Sequence, residues 1–71
     1  MKVWILFSVA NDYNQPARAF EKLWWSEPTN EEIATQLGYS VDYVASVRNR
    51  LFNGGLDISM VATYWIDVIS K

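Results

Sequence analysis

The chain opens on an apolar run, Lys2 to Val9, that is β-branched and aromatic and holds no breaker, so it predicts a strand. Alternation puts Val3, Ile5, Phe7 and Val9 on one face and Trp4 and Leu6 on the other. Both faces are apolar. Such a strand belongs in the middle of a sheet, or has a partner against its second face.

Asn11-Asp12-Tyr13-Asn14-Gln15-Pro16 is turn chemistry, because Asn and Asp tolerate left-handed backbone and satisfy it with their own side chains. Residues 17–25 fit two patterns. As a helix, Pro16 takes the first position and Ala17, Phe20, Leu23 and Trp24 form a stripe. As a strand, Phe20 and Trp24 alternate with Leu23 and Trp25, and residues 1–25 form a hairpin. The strand is preferred, with both left open.

Glu27-Pro28 ends this stretch, and Thr29 followed three residues later by Glu32 is a capping box, predicting a helix to about Leu37. Gly38 is its left-handed stop. Ser40 caps a second helix from about Val41 to Phe52, closed by Asn53-Gly54-Gly55. From Leu56 to Ile69 strand composition returns, with Tyr64, Ile66 and Val68 facing one way and Trp65 and Ile69 the other. Leu56 to Ser59 suits a short partner strand. The expected fold is α+β: one domain, residues 1–71, with a small antiparallel sheet whose strands lie at both chain ends and a helix pair packed on one face.

Composition narrows the chemistry. In a chain of 71 residues, 51% are apolar and 15% aromatic, which suits a small dense core. With no Cys and no His, there is no disulfide framework, no thiolate or imidazole metal ligand and no histidine base. No metal, cofactor or catalytic residue is expected. Glu31 and Glu32 are adjacent on a helix, about 100° apart, and lie in the first turn, where carboxylates favour the dipole. Asn53-Gly54-Gly55 has no phosphate-loop Lys or Thr behind it. The apolar run at Val3 to Phe7 is too short for a signal core or a membrane span, so a cytoplasmic protein that does not cross a membrane is expected.

Residues 29–52 resemble a helix-turn-helix. A small residue, Ala34, stands inside the first helix, Gly38 follows at the turn, and Ile33, Leu37, Tyr39, Val44 and Val47 take the buried positions. That resemblance implies that the second helix reads the major groove with Ser40, Val41, Asp42, Ala45, Ser46 and Asn49, with Arg48 and Arg50 at the periphery. Against it stand the net charge of −2 and the phosphate-repelling Asp42. Over the whole chain, the opening Met-Lys-Val-Trp-Ile-Leu-Phe-Ser-Val, the Asn-Asp-Tyr-Asn-Gln-Pro turn, Glu-Pro-Thr before a helix and the final Tyr-Trp-Ile-Asp-Val loosely resemble small phage and prophage proteins of uncharacterised function. This second resemblance implies a three- or four-stranded sheet with helices before the last strand, and no particular activity.

Two functions follow as expectations. One is a non-enzymatic regulatory protein of phage or mobile-element type that contacts DNA through the helix pair, at Ser40, Val41, Arg48, Asn49 and Arg50, as a homodimer. The alternative is an accessory factor that binds a host protein, for example as an inhibitor, or binds itself. If the helices cover the Val3-Ile5-Phe7-Val9 face, its surface is Trp4, Trp65 and one of Trp24 and Trp25, with Trp24 chosen.

Overall fold

In a computed structural model, residues 1–10, 18–58 and 62–70 are described. They form β1 (Lys2–Ala10), β2 (Ala19–Trp24), α1 (Asn30–Leu37), α2 (Val41–Phe52), β3 (Leu56–Ile58) and β4 (Ala62–Ser70). The strands make one sheet in the order β2-β1-β4-β3, with every pair antiparallel. The α+β expectation, with strands at both ends and two helices between, is the architecture found. Residues 19–24 are strand, so β1 and β2 pair as the hairpin reading requires. The Asn11 to Pro16 turn, Ala17 and Ser59 lie outside the described residues.

β1 is central, as its two apolar faces predict. It pairs along its length with β4, from Lys2 opposite Ser70 to Ala10 opposite Ala62. On its other side Trp4 meets Trp24 and Ile5 meets Leu23, and a bulge then intervenes. Leu6 faces Lys22 while Phe7 faces Phe20, leaving Glu21 as the extra residue. The bulge has a partner to hold: Ser8, buried, donates its hydroxyl to Glu21 Oε2 at 2.7 Å. A buried hydroxyl without an acceptor is costly, and this one has a carboxylate.

Both helices pack on the face that carries Leu6. The core joins Leu6 and Ile66 from the sheet centre, Trp24 from β2, Leu56 and Ile58 from β3, Ile33 and Ala34 from α1, and Val44 and Leu51 from α2. Trp4, Leu37, Val47, Phe52 and Tyr64 pack around its margin. The helices begin where their caps dictate. Thr29 Oγ1 accepts the Glu32 N–H at 3.1 Å while Glu32 Oε1 accepts the Thr29 N–H at 2.8 Å, and Ser40 Oγ accepts the Tyr43 N–H at 3.2 Å. Between them Gly38 adopts φ +79° and donates its N–H to the Ala34 carbonyl at 2.8 Å.

Nothing lies within 4 Å of a Cβ built on Gly38, so a substitution there meets backbone strain and no clash. Gly38→Ala is therefore expected to cost about 1 kcal/mol, the left-handed penalty alone. A urea titration checks it, and a loss above about 3 kcal/mol would mean that the turn has a packing role as well.

Candidate functional site: an uncovered sheet face beside a helix pair

Two surfaces could carry function, and each is built by a different part of the fold. The first is the helix pair. Ala34 is buried at the crossing, Gly38 makes the turn and Val44 is fully buried, so the spacing read in the sequence yields two helices locked on one another. Its outer side offers few donors. Ser40 is the α2 cap. Asn49 is joined to the helix end, its carbonyl and Oδ1 accepting from Asn53 Nδ2 at 3.0 and 2.9 Å.

Arg48 is tied, half-buried, to the protein's own acceptors. Nη1 donates to Asn30 Oδ1 at 2.9 Å, and Nη2 donates to the Pro28 carbonyl at 2.8 Å and to Glu27 Oε2 at 3.1 Å. The guanidinium also lies 4.9 Å from the centre of the Phe52 ring. A planar fork with several donors suits this task of tying the start of α1 to the third turn of α2. Val41, 42% exposed, offers only apolar surface. Of the five residues expected to contact nucleic acid, Arg50 alone brings a charged donor with no partner among the described residues.

The charge around that surface has the wrong sign for phosphate. Residues 27–52 hold four carboxylates, Glu27, Glu31, Glu32 and Asp42, against Arg48 and Arg50, so the whole net charge of −2 belongs to this segment and the rest of the chain is neutral. Tyr39, expected at a buried position of the pair, is instead exposed: it and Tyr43, rings 5.2 Å apart, stand at the surface at the start of α2 beside Val41. A hollow of about 350 Å³ between β2 and α1 is rimmed by exposed Lys22, Glu31, Glu32, Thr35 and Gln36 around the Trp24 side chain. No buried side-chain polar atom among the described residues lacks a partner, so no unsatisfied group points to a ligand there.

The second surface is the back of the sheet. No helix or strand of the described residues lies over it. On β1 it carries Val3, Ile5, Phe7 and Val9, on β2 Phe20 and Leu23, and on β4 Thr63, Trp65, Asp67 and Ile69. Phe7 and Trp65 are cross-strand neighbours, stacked with centroids 5.7 Å apart. Arg18 reaches over them: its guanidinium is 4.3 Å from the Phe7 ring centre and 3.9 Å from Asp67 Oδ2. Phe20 is 62% exposed, and Trp25, just beyond β2, is 70% exposed. Val3 is the exception, buried at 7% opposite Ile69. At the β3 edge, Asp57 accepts the Thr63 hydroxyl.

This arrangement corrects the expected aromatic cluster. The helices cover the Trp4 and Leu6 face, not the Val3, Ile5, Phe7 and Val9 face, so the three chosen tryptophans do not gather. Trp24 is a core residue at 7% exposure, Trp4 sits at the core margin beside it, and only Trp65 is on the uncovered face. The physical reason is register. A strand alternates strictly, and Phe7 opposite Trp65 sets Trp65 on the odd-numbered face of β1 while Trp4 is on the even one. Sequence reading missed Arg18, Phe20 and Asp67. Asp67 gave a usable signal, since it shares a strand face with Trp65, Ile69 and Thr63 and marks that face as the wetter one.

No helix among the described residues is long and apolar enough to cross a membrane. Compared with known proteins, the chain matches no family model, no curated protein and no solved structure.

Proposed function

We propose that this chain is a non-catalytic protein-interaction module that works through the uncovered face of its sheet, the role of an accessory factor that binds another protein. The observation that carries this reading is an apolar sheet face that no helix or strand of the described residues covers, with exposed Phe20 opposite Phe7 and Phe7 stacked on Trp65. Contiguous apolar surface of this kind marks protein interfaces, where aromatic side chains are enriched and charge is depleted. The ion pair of Arg18 with Asp67 leaves the centre of the face neutral, and Asp57 lies out at the β3 edge.

A second reading, a phage or mobile-element regulator that contacts DNA through α2, is favoured by one specific observation, the Ala34, Gly38 and Val44 packing of the helix pair. It ranks lower because Arg48 is occupied and the exposed Glu31, Glu32 and Asp42 repel phosphate. An NMR titration of the labelled protein with a mixed-sequence duplex of about 20 base pairs, at about 50 mM salt where phosphate contacts are strongest, separates the two. Unmoved amide signals from Ser40 to Arg50 are the expected result. Shifts centred there that fade as salt rises would overturn the protein-binding reading in favour of DNA.

A further inference from the structure

Resting on that reading, we infer that the first occupant of the uncovered face is a second copy of this chain, packed sheet to sheet about a two-fold axis. The charge pattern points to it. The helix layer carries the acidic charge and repels its own kind, whereas the sheet face presents Arg18, over Phe7, beside Asp67 near its centre, with Asp57 at its β3 edge. A cation beside an anion at the centre of a face is complementary to itself: a two-fold axis between the sheets sets Arg18 of each copy against Asp67 of the other, with Asp57 out at the β3 edge. Within one copy the pair is loose, 3.9 Å apart with side chains 60% and 45% exposed, so both groups have capacity for a second partner. The acidic helix layers then lie on the outside of a four-layer assembly, as far apart as the fold allows.

The area suits a weak dimer. Strands of nine, six, three and nine residues tile about 430 Å² per copy at about 3.3 Å by 4.8 Å per residue. Two copies cover about 860 Å² as flat tiles, below the range of stable interfaces and within that of weak, transient ones. Ile5, Phe7, Phe20, Leu23, Trp65 and Ile69 supply the apolar contact. The four charges at the centre set the register and give up hydration for it, which holds the affinity to about the micromolar range.

Charge exchange between copies tests this directly. Sedimentation velocity from about 1 µM to about 1 mM should show the wild type passing from monomer to dimer. Arg18→Asp alone and Asp67→Arg alone each place like charges across the two-fold and should weaken self-association at least about 30-fold. Mixed in equal amounts, the two variants should form a heterodimer, because every Asp then meets an Arg of the other copy. Far-UV circular dichroism of each variant confirms that it is folded.

Three outcomes overturn the inference: a wild type that is monomeric throughout, single variants that associate as well as the wild type, or a mixture that stays monomeric. None of these touches the protein-binding reading itself, which falls to the duplex titration. Conversely, DNA binding at α2 leaves the heterodimer rescue to be decided on its own.

Discussion

Trp24→Ala is expected to remove about 3–5 kcal/mol of stability, while Trp25→Ala, one residue on, changes it by less than about 0.5 kcal/mol. The first indole is buried in the core and the second is exposed. Trp24, at 7% exposure, packs in the cluster of Leu6, Ile33, Ala34 and Ile66, and its loss opens a cavity that the sheet and α1 cannot both close. Trp25 is 70% exposed. A domain of this length holds about 4–10 kcal/mol in all, so Trp24→Ala takes away a large part of the total and should lower Tm by about 15–30 °C. Thermal unfolding at a concentration low enough to keep the chain monomeric checks both variants. Near-equal losses would mean that Trp25 is buried in the folded monomer.

The same pair shows where sequence reading reaches its limit. Capping residues act locally, so Thr29 with Glu32, Gly38 and Ser40 announce two helices and their turn almost residue by residue. The apolar alternation of β1 likewise announces a central strand. Which face of that strand meets the helices is a long-range matter. It depends on the pairing of β1 with β4, 66 positions away in the chain for Val3 and Ile69, and a slip of one residue exchanges the two faces. Both faces of β1 are apolar, so its own pattern could not break the tie. The tie is broken elsewhere, by Leu56, Ile58 and Ile66, which join Leu6 on the covered side, and by Asp67 and Thr63, which accept the wet side.

The bulge at Glu21 was beyond sequence reading for a related reason. It exists only in the comparison of two strands, one gaining a residue on the other between Leu6 and Phe7. Its effect is to keep Phe20 opposite Phe7 on the open face while Lys22 and Trp24 stay on the helix side. Without it, alternation carried back from Trp24 would set Glu21 opposite Phe7 and turn Phe20 to the helix side, and the aromatic patch that defines the candidate surface would lose a member. The surface therefore rests on three features of pairing: the β1 and β4 register, the bulge, and the reach of Arg18 across β1.

Arg48→Ala is expected to cost about 2 kcal/mol, the second large effect and the one that bears on the helix pair. The side chain is 26% exposed and ends in three hydrogen bonds, to Asn30, the Pro28 carbonyl and Glu27. The bond to Glu27 contributes least, because that carboxylate is 66% exposed and solvent screens the pair. The other two matter more. Pro28 is fully buried and its carbonyl accepts from a charged donor, so truncation leaves acceptors beside α1 without a protein partner. Arg48→Lys should recover only part of the loss, since one ammonium cannot span the acceptors that the planar fork joins. Arg50→Ala, at an exposed position of the same turn, should change stability by less than about 0.5 kcal/mol. Urea unfolding of the three variants measures this directly. A stability-neutral Arg48→Ala would mean that the guanidinium is available to an outside ligand, and would return α2 to consideration as a phosphate-contacting helix; a loss of the expected size identifies Arg48 as the strut that holds α1 against α2.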